Sequence, residues 1–159
     1  MDLQVVPASA VRTDAPACKP IADAMSRVPG DATVALFQPI GPVAKTLTTD
    51  VTLGTYTGTR AQEWFASLRA AVGPCARGFT ATDSTGTTTY RKAEPDSLSA
   101  GDEALAWGLT VERDGEPVVV RLAAVRKKNN VALFFTHDPA GGVGRQPTAV
   151  IDAQIAKLP

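Results

Sequence analysis

The chain has little of what would announce a chemistry. Its 159 residues include one histidine, two cysteines, and sixteen basic residues matched by sixteen acidic ones. No apolar run approaches the roughly 18 residues of a helical membrane span. With charges that cancel and no long run of either sign, the electrostatic footprint of a nucleic-acid or anionic-membrane binder is missing. The local cluster Arg126-Lys127-Lys128 flanks a hairpin tip, where charge keeps a turn solvated. His137 is too isolated for a HExxH zinc motif, and no GxSxG elbow supplies it with a serine. Its place beside Asp138-Pro139 at a strand end suits a surface or capping role. The carboxylates are scattered, and Asp102-Glu103 reads as a pair that solvates a loop rather than an acid and a base. The glycines near Ser84-Thr85-Gly86 lack both the Walker spacing and a following helix. These absences point away from an enzyme, and they call for no metal and no cofactor.

The start Met1-Asp2-Leu3-Gln4 lacks the basic and apolar regions of a signal peptide. The Pro/Ala/Ser stretch from Pro7 to Pro16 suits a chain that begins after a removed leader, so residues 1–16 are expected to be a flexible arm or tether and 17–159 a single domain. A domain of this length buries roughly 70% of its unfolded surface. Cys18 and Cys75 lie too far apart for a CxxC redox or zinc motif, and a nucleophilic cysteine would lack a base. Each sits near a predicted helix end. A structural disulfide is the reading, and it implies an oxidising compartment.

What is present is a clear β-meander. Ala104 to His137 (ALAWGLTVERDGEPVVVRLAAVRKKNNVALFFTH) reads as three strands joined by tight turns at Asp114-Gly115 and Asn129-Asn130. A turn at Asp114-Gly115 pairs Arg113 with Glu116. Val111 then faces Val118, Leu109 faces Val120, Trp107 faces Leu122 and Leu105 faces Ala124, all eight on one side of the sheet. The second turn pairs Lys128 with Val131 and adds Leu133 and Phe135 to that side.

Further helices and strands surround this core. Ala17 to Arg27 predicts a short helix, with Pro20 in its first turn and Val28-Pro29-Gly30 as its stop. Thr33 to Gln38 predicts a strand stopped by the cluster from Pro39 to Pro42, and Lys45 to Tyr56 a half-buried or edge strand with Leu47, Val51 and Leu53 on one side. In Thr59 to Val72, Ala61, Trp64, Phe65, Leu68, Ala71 and Val72 recur at helical spacing, with Thr59-x-x-Gln62 as a capping box and Gly73-Pro74 as the stop. Trp64 on this stripe is a core residue. Gly78 to Lys92 predicts a polar hairpin, Glu94 to Asp102 a loop, and Thr148 to Leu158 a closing helix with Thr148 as N-cap. The fold class is α+β: an antiparallel meander with helices packed on one face, in a single domain.

The other side of the meander carries the candidate site. Ala106, Gly108, Thr110, Val119, Arg121, Ala123, Val125, Phe134 and Thr136 share it, small and apolar around one arginine. Three readings stand. The arm or the 39–56 region covers this face; or it lines a shallow cleft in which Arg121, with Gly108, Thr110, Val119 and Phe134, meets an anionic or polar ligand; or it is a protein interface.

Cys18 in a short helix, WFASLRAAVGPC from Trp64 to Cys75, the AWGL-type strand, the VRKKNNVALF hairpin and the closing VIDAQIAKL helix together carry a resemblance. The chain resembles the actinobacterial sensor-domain lipoproteins and secreted proteins related to the extracellular sensor domain of PknH-type Ser/Thr kinases. It departs from them in having one cysteine pair where the kinase domain has two, and in showing no lipobox cysteine. The resemblance implies a non-catalytic, exported sensor or ligand-binding domain. Such a domain is secreted or held at the cell surface, by a lipid anchor upstream in the lipoproteins, and binds a small ligand or a protein partner in a sheet-and-helix cleft.

Overall fold

The structure, a computed structural model, describes residues 11–26, 32, 47–138, 142 and 144–159 in full, and 4–5 and 34–40 as backbone. In chain order, strands β1 (Gln4–Val5) and β2 (Arg12–Thr13) precede a 3-10 turn at Pro16–Cys18 and helix α1 (Lys19–Met25). Strands β3 (Val34–Ile40) and β4 (Thr48–Thr55) lead to helix α2 (Arg60–Cys75). Five strands follow: β5 (Phe79–Asp83), β6 (Gly86–Asp96), β7 (Glu103–Arg113), β8 (Glu116–Lys127) and β9 (Asn130–His137), before helix α3 (Thr148–Lys157). The seven long strands form one curled antiparallel sheet, ordered β3-β4-β9-β8-β7-β6-β5, with β1 and β2 at its two edges.

The first hairpin has the register that its sequence dictates. Arg113 pairs with Glu116 and Trp107 with Leu122, and Asp114 and Gly115 both take positive φ, 51° and 82°. The second turn differs. Lys127 pairs with Asn130, so the turn is Lys128-Asn129, and the positive φ of 55° falls on Lys128. Tertiary bonds select this placement over the Asn-Asn preference. Lys128 N–H donates to Asp102 Oδ2 (2.6 Å), Arg126 Nη1 to Lys128 O (3.0 Å), and Tyr56 N–H to Asn129 O (2.9 Å). Moving a hairpin turn by one residue changes the pairing by two. The alternation of faces is therefore preserved, and Leu133 and Phe135 stay on the side of Leu122.

On that inner face α1 and α2 pack together. Ile21, Phe65 and Leu68 meet Trp107, Leu109, Leu122 and Ala124, all buried, and Trp64 stacks on Tyr56 with ring centroids 6.3 Å apart. A disulfide between Cys18 and Cys75, Cα atoms 5.7 Å apart, joins the entrance of α1 to the end of α2. The α+β meander is thus the architecture, with α1 and α2 packed on one face and α3 as a layer on the reverse side. There Ile151 and Ile155 cover Val51, Ala106, Ala123, Val125, Ala132 and Phe134.

Several element ends differ from the sequence reading. Helix α2 runs through Gly73 and Pro74 to Cys75, because a proline one residue from the end forfeits a single backbone bond while the disulfide holds the last turn. Gly78 stops the segment, at φ 100°, where a Cβ would collide with the Tyr90 carbonyl. The capping box does not form: the Thr59 hydroxyl donates to Glu63 Oε1 (2.9 Å) instead of capping a backbone N–H. At α3 the N-cap is Pro147, not Thr148. Strand β3 includes Pro39, paired with Asp50, and β1 on its other side reaches only Leu36 and Phe37. A proline lacking a donor is tolerated beyond that short edge. Strand β4 lies between β3 and β9, so it is an interior strand rather than an edge, and β6 continues to Asp96 where a loop was expected. Part of the expected arm belongs to the sheet, since Arg12 and Thr13 pair with Thr82 and Ala81 and Val11 is buried. Edge pairing uses backbone groups and leaves no apolar periodicity to read. The helix stop at Val28-Pro29-Gly30 and positions 41, 42 and 139–141 of the Pro/Gly loops lie outside the described residues.

Candidate functional site

The outer face carries a polar rung across four strands: Thr49 (β4), Thr136 (β9), Arg121 (β8) and Gly108 (β7) are cross-strand neighbours in that order. The buried hydroxyls of Thr49 and Thr136 lie 3.0 Å apart. The Arg121 side chain is 21% exposed; Nε donates to Gly144 O (2.7 Å), and Nη1 lies 3.6 Å from Asp96 Oδ2. Gly108 makes this possible, since a Cβ there would stand 2.5 Å from Arg121 Nη1. From the segment before α3, Gln146 Nε2 donates to the carbonyls of Trp107 and Leu122 (3.3 Å each), while its Oε1 is buried without a partner among the described residues.

Of the five candidate residues, the fold brings Arg121 and Gly108 into contact. It sets Thr110 and Val119 side by side, half-buried, on the next rung. Phe134 lies apart from them, fully buried beneath α3. Among the described residues, α3 and residues 144–146 cover the face, and β4 lies within the sheet rather than over it. The basic cluster at the second hairpin helps to hold that cover. Lys127 Nζ donates to Ile155 O (3.2 Å) and Leu158 O (2.6 Å) at the carboxyl end of α3. Arg126 bonds Glu103 (2.6 Å), which also takes Arg69 (3.1 Å). These bonds hold the Glu103 carboxyl below its usual range, the Arg126 hydrogen bond contributing most. Asp102 and Glu103 are therefore clamps on the hairpin rather than solvating residues.

A second concavity lies on the inner face, at the Asp114-Gly115 end of the meander. It is an open cleft of about 410 Å³, within the range of small-molecule sites. Val111, Val120, Phe135 and Tyr90 of the sheet and Met25 of α1 line its apolar part, and Thr88, Glu112, Arg113 and Asp114 its rim. Tyr90 stacks on Phe79 (4.7 Å), and burial, aided by the charge of Asp83, pushes its hydroxyl up to about 12. His137 packs on Phe135 at 5.6 Å, its Nδ1 buried and without a hydrogen-bond partner among the described residues. Among the described residues, no group of three His, Cys, Asp or Glu side chains is placed to hold a metal ion, and no helix is long and apolar enough to cross a membrane. Sequence reasoning missed this cleft because it assigned the whole inner face to the core. A signal existed: β7 and β8 have 11 and 12 residues, about 37 Å of strand, whereas the 16 residues of α2 span about 24 Å.

Architecture and clefts together define an α+β fold, built on one curled antiparallel sheet with a helix pair on its inner face. No protein-family model matches the chain, and no curated protein does. Among solved structures the chain is similar to the extracellular domain of PknH from Mycobacterium tuberculosis, with a TM-score of 0.59 and 12% identity over 99% of this chain and 87% of that one. At that identity the likeness establishes the fold rather than membership of a family.

Proposed function

We propose that this is an exported, non-catalytic recognition domain, secreted or held at the cell surface, which binds a small ligand in the inner-face cleft. The observation that carries the reading is the cleft, an open cavity lined by Val111, Val120, Phe135 and Met25 beside the polar Thr88, Tyr90, Glu112, Arg113 and Asp114. The buried disulfide supports an oxidising compartment, and the fold shared with a kinase's extracellular domain supports sensing as the role. Heteronuclear NMR of the oxidised protein, titrated with a set of small polar and aromatic fragments, tests it. Saturable shifts should cluster at Val111, Val120 and Phe135. Absence of any saturable binder would overturn ligand recognition.

A second reading rests on Thr110 and Val119, half-buried beside the partly exposed Arg121. There the outer face, with Arg121, Gly108, Thr110, Val119 and Phe134 as its candidate residues, meets an anionic ligand or a protein partner. Fragment shifts at Thr110 and Val119, abolished by Arg121→Ala, would move the site to that face.

A further inference from the structure

Five polar groups line the inner cleft: Thr88, Tyr90, Glu112, Arg113 and Asp114. Glu112 is neutralised, since Arg91 Nη2 and Nε bond the same carboxylate oxygen at 2.7 and 3.0 Å. Arg113 lines the cleft, and no ion pair or hydrogen bond engages its side chain among the described residues. By strand alternation it stands on the side of Val111 and Leu109, the apolar side, although its cross-strand neighbour is Glu116. Asp114, the other charged group at the mouth, lies in the turn beyond the end of β7. The remaining polar groups nearest the floor are the hydroxyls of Thr88 and Tyr90. A guanidinium and two hydroxyls can all donate, and the floor beside them is Val111, Val120 and Phe135.

We infer that the cleft takes a small anionic amphiphile, its aromatic or aliphatic body on Val111, Val120 and Phe135 and its carboxylate, sulfonate or phosphate on Arg113. This rests on the cleft reading above. It adds the charge sign of the ligand and the residue that reads it. A guanidinium at the mouth of an apolar recess pairs with an anion through charge-assisted hydrogen bonds, which are about twice as strong as neutral ones. Asp114 in the turn and Glu116 across the strand pair oppose that attraction, both exposed to solvent and screened by it.

Two fluorescent probes separate the parts of the inference: anilinonaphthalene sulfonate, and phenylnaphthylamine, which has the same rings without the sulfonate. The native protein should bind the sulfonate at one site, about tenfold more tightly than the neutral probe. In Arg113→Gln that ratio should fall to about one, and in Thr88→Trp, which fills the recess, both probes should weaken at least tenfold. Near-ultraviolet circular dichroism checks that each variant keeps native packing; Arg113→Lys, which retains the charge, should keep part of the preference. Equal affinities in the native protein, or a preference that survives Arg113→Gln, would overturn the anionic assignment and leave the cleft reading standing. Binding of both probes that Thr88→Trp leaves intact would overturn the cleft reading as well.

Discussion

Individual side chains in this protein take their character from what surrounds them. Tyr90 is the clearest case. Its ring lies against Phe79 and its hydroxyl is drawn into the sheet's inner layer, so desolvation, with the nearby Asp83 charge, raises its ionisation to about 12, against about 10 in an unfolded chain. A raised folded value means that the contribution to stability is complete below pH 10 and is lost as pH climbs through 12. Urea unfolding across that window should show native stability falling by up to about 2–3 kcal/mol more than in Tyr90→Phe; parallel curves for the two proteins would refute the assignment. Gly108 and Arg121 show the same dependence in geometry. Sequence alternation put them on one face, yet nothing in the linear pattern revealed that the guanidinium would lie over the missing side chain and bond the Gly144 carbonyl. Single residues also changed meaning: Asp102 and Glu103 look like solvating charges in sequence and are ligands of Arg126 and of the Lys128 backbone in the fold.

Among the secondary-structure elements, the helices and the meander were legible because their apolar periods are strong, while their ends were not. Helix α2 continued past Gly73-Pro74 because a proline so near the end forfeits one backbone bond and the disulfide holds the last turn, and the second turn moved off Asn129-Asn130 because bonds to Asp102 and Tyr56 outweighed the local turn preference. The sequence marked α3 as amphipathic without showing which face of the sheet it would cover. Small residues decide that: Ala106, Ala123 and Ala132 leave room on the outer face for Ile151 and Ile155, while the inner face is filled by Trp107, Leu122 and the helix pair. Lys127 fastens the far end of α3 by donating to two terminal carbonyls. Lys127→Met keeps the aliphatic stem and removes the donor, at a cost of about 1 kcal/mol to the docked helix. Amide exchange in Thr148–Lys157 should then accelerate about fivefold, with β7 and β8 unchanged. Uniform acceleration, or none, would show that the lysine does not hold the helix.

Over the whole molecule the disulfide links the two inner-face helices, and the first of them borders the open cleft through Met25. Met25 at the end of α1 lines the cleft, and Cys18 at the start of the same short helix is tied to Cys75. Replacing both cysteines with serine releases a loop of 57 residues and should lower stability by about 4 kcal/mol on the chain-entropy account. Chemical denaturation measures the loss. A drop below 1 kcal/mol would mean that packing of Ile21, Phe65 and Leu68 alone sets the helix pair. The pairing of these cysteines, the α+β class, the order of elements from α1 onward, and the inner side of the meander down to its first-hairpin register could all be read from the linear chain, since alternation, turn dipeptides and helical spacing are local signals that a solvent-averse core enforces. The open end of the inner face, the burial of Phe134 under α3, and the engagement of Arg121 with Gly144 and Asp96 required the folded chain. Each is a meeting of segments distant in sequence, and its outcome depends on differences in strand length, helix reach and side-chain volume that no periodic pattern records.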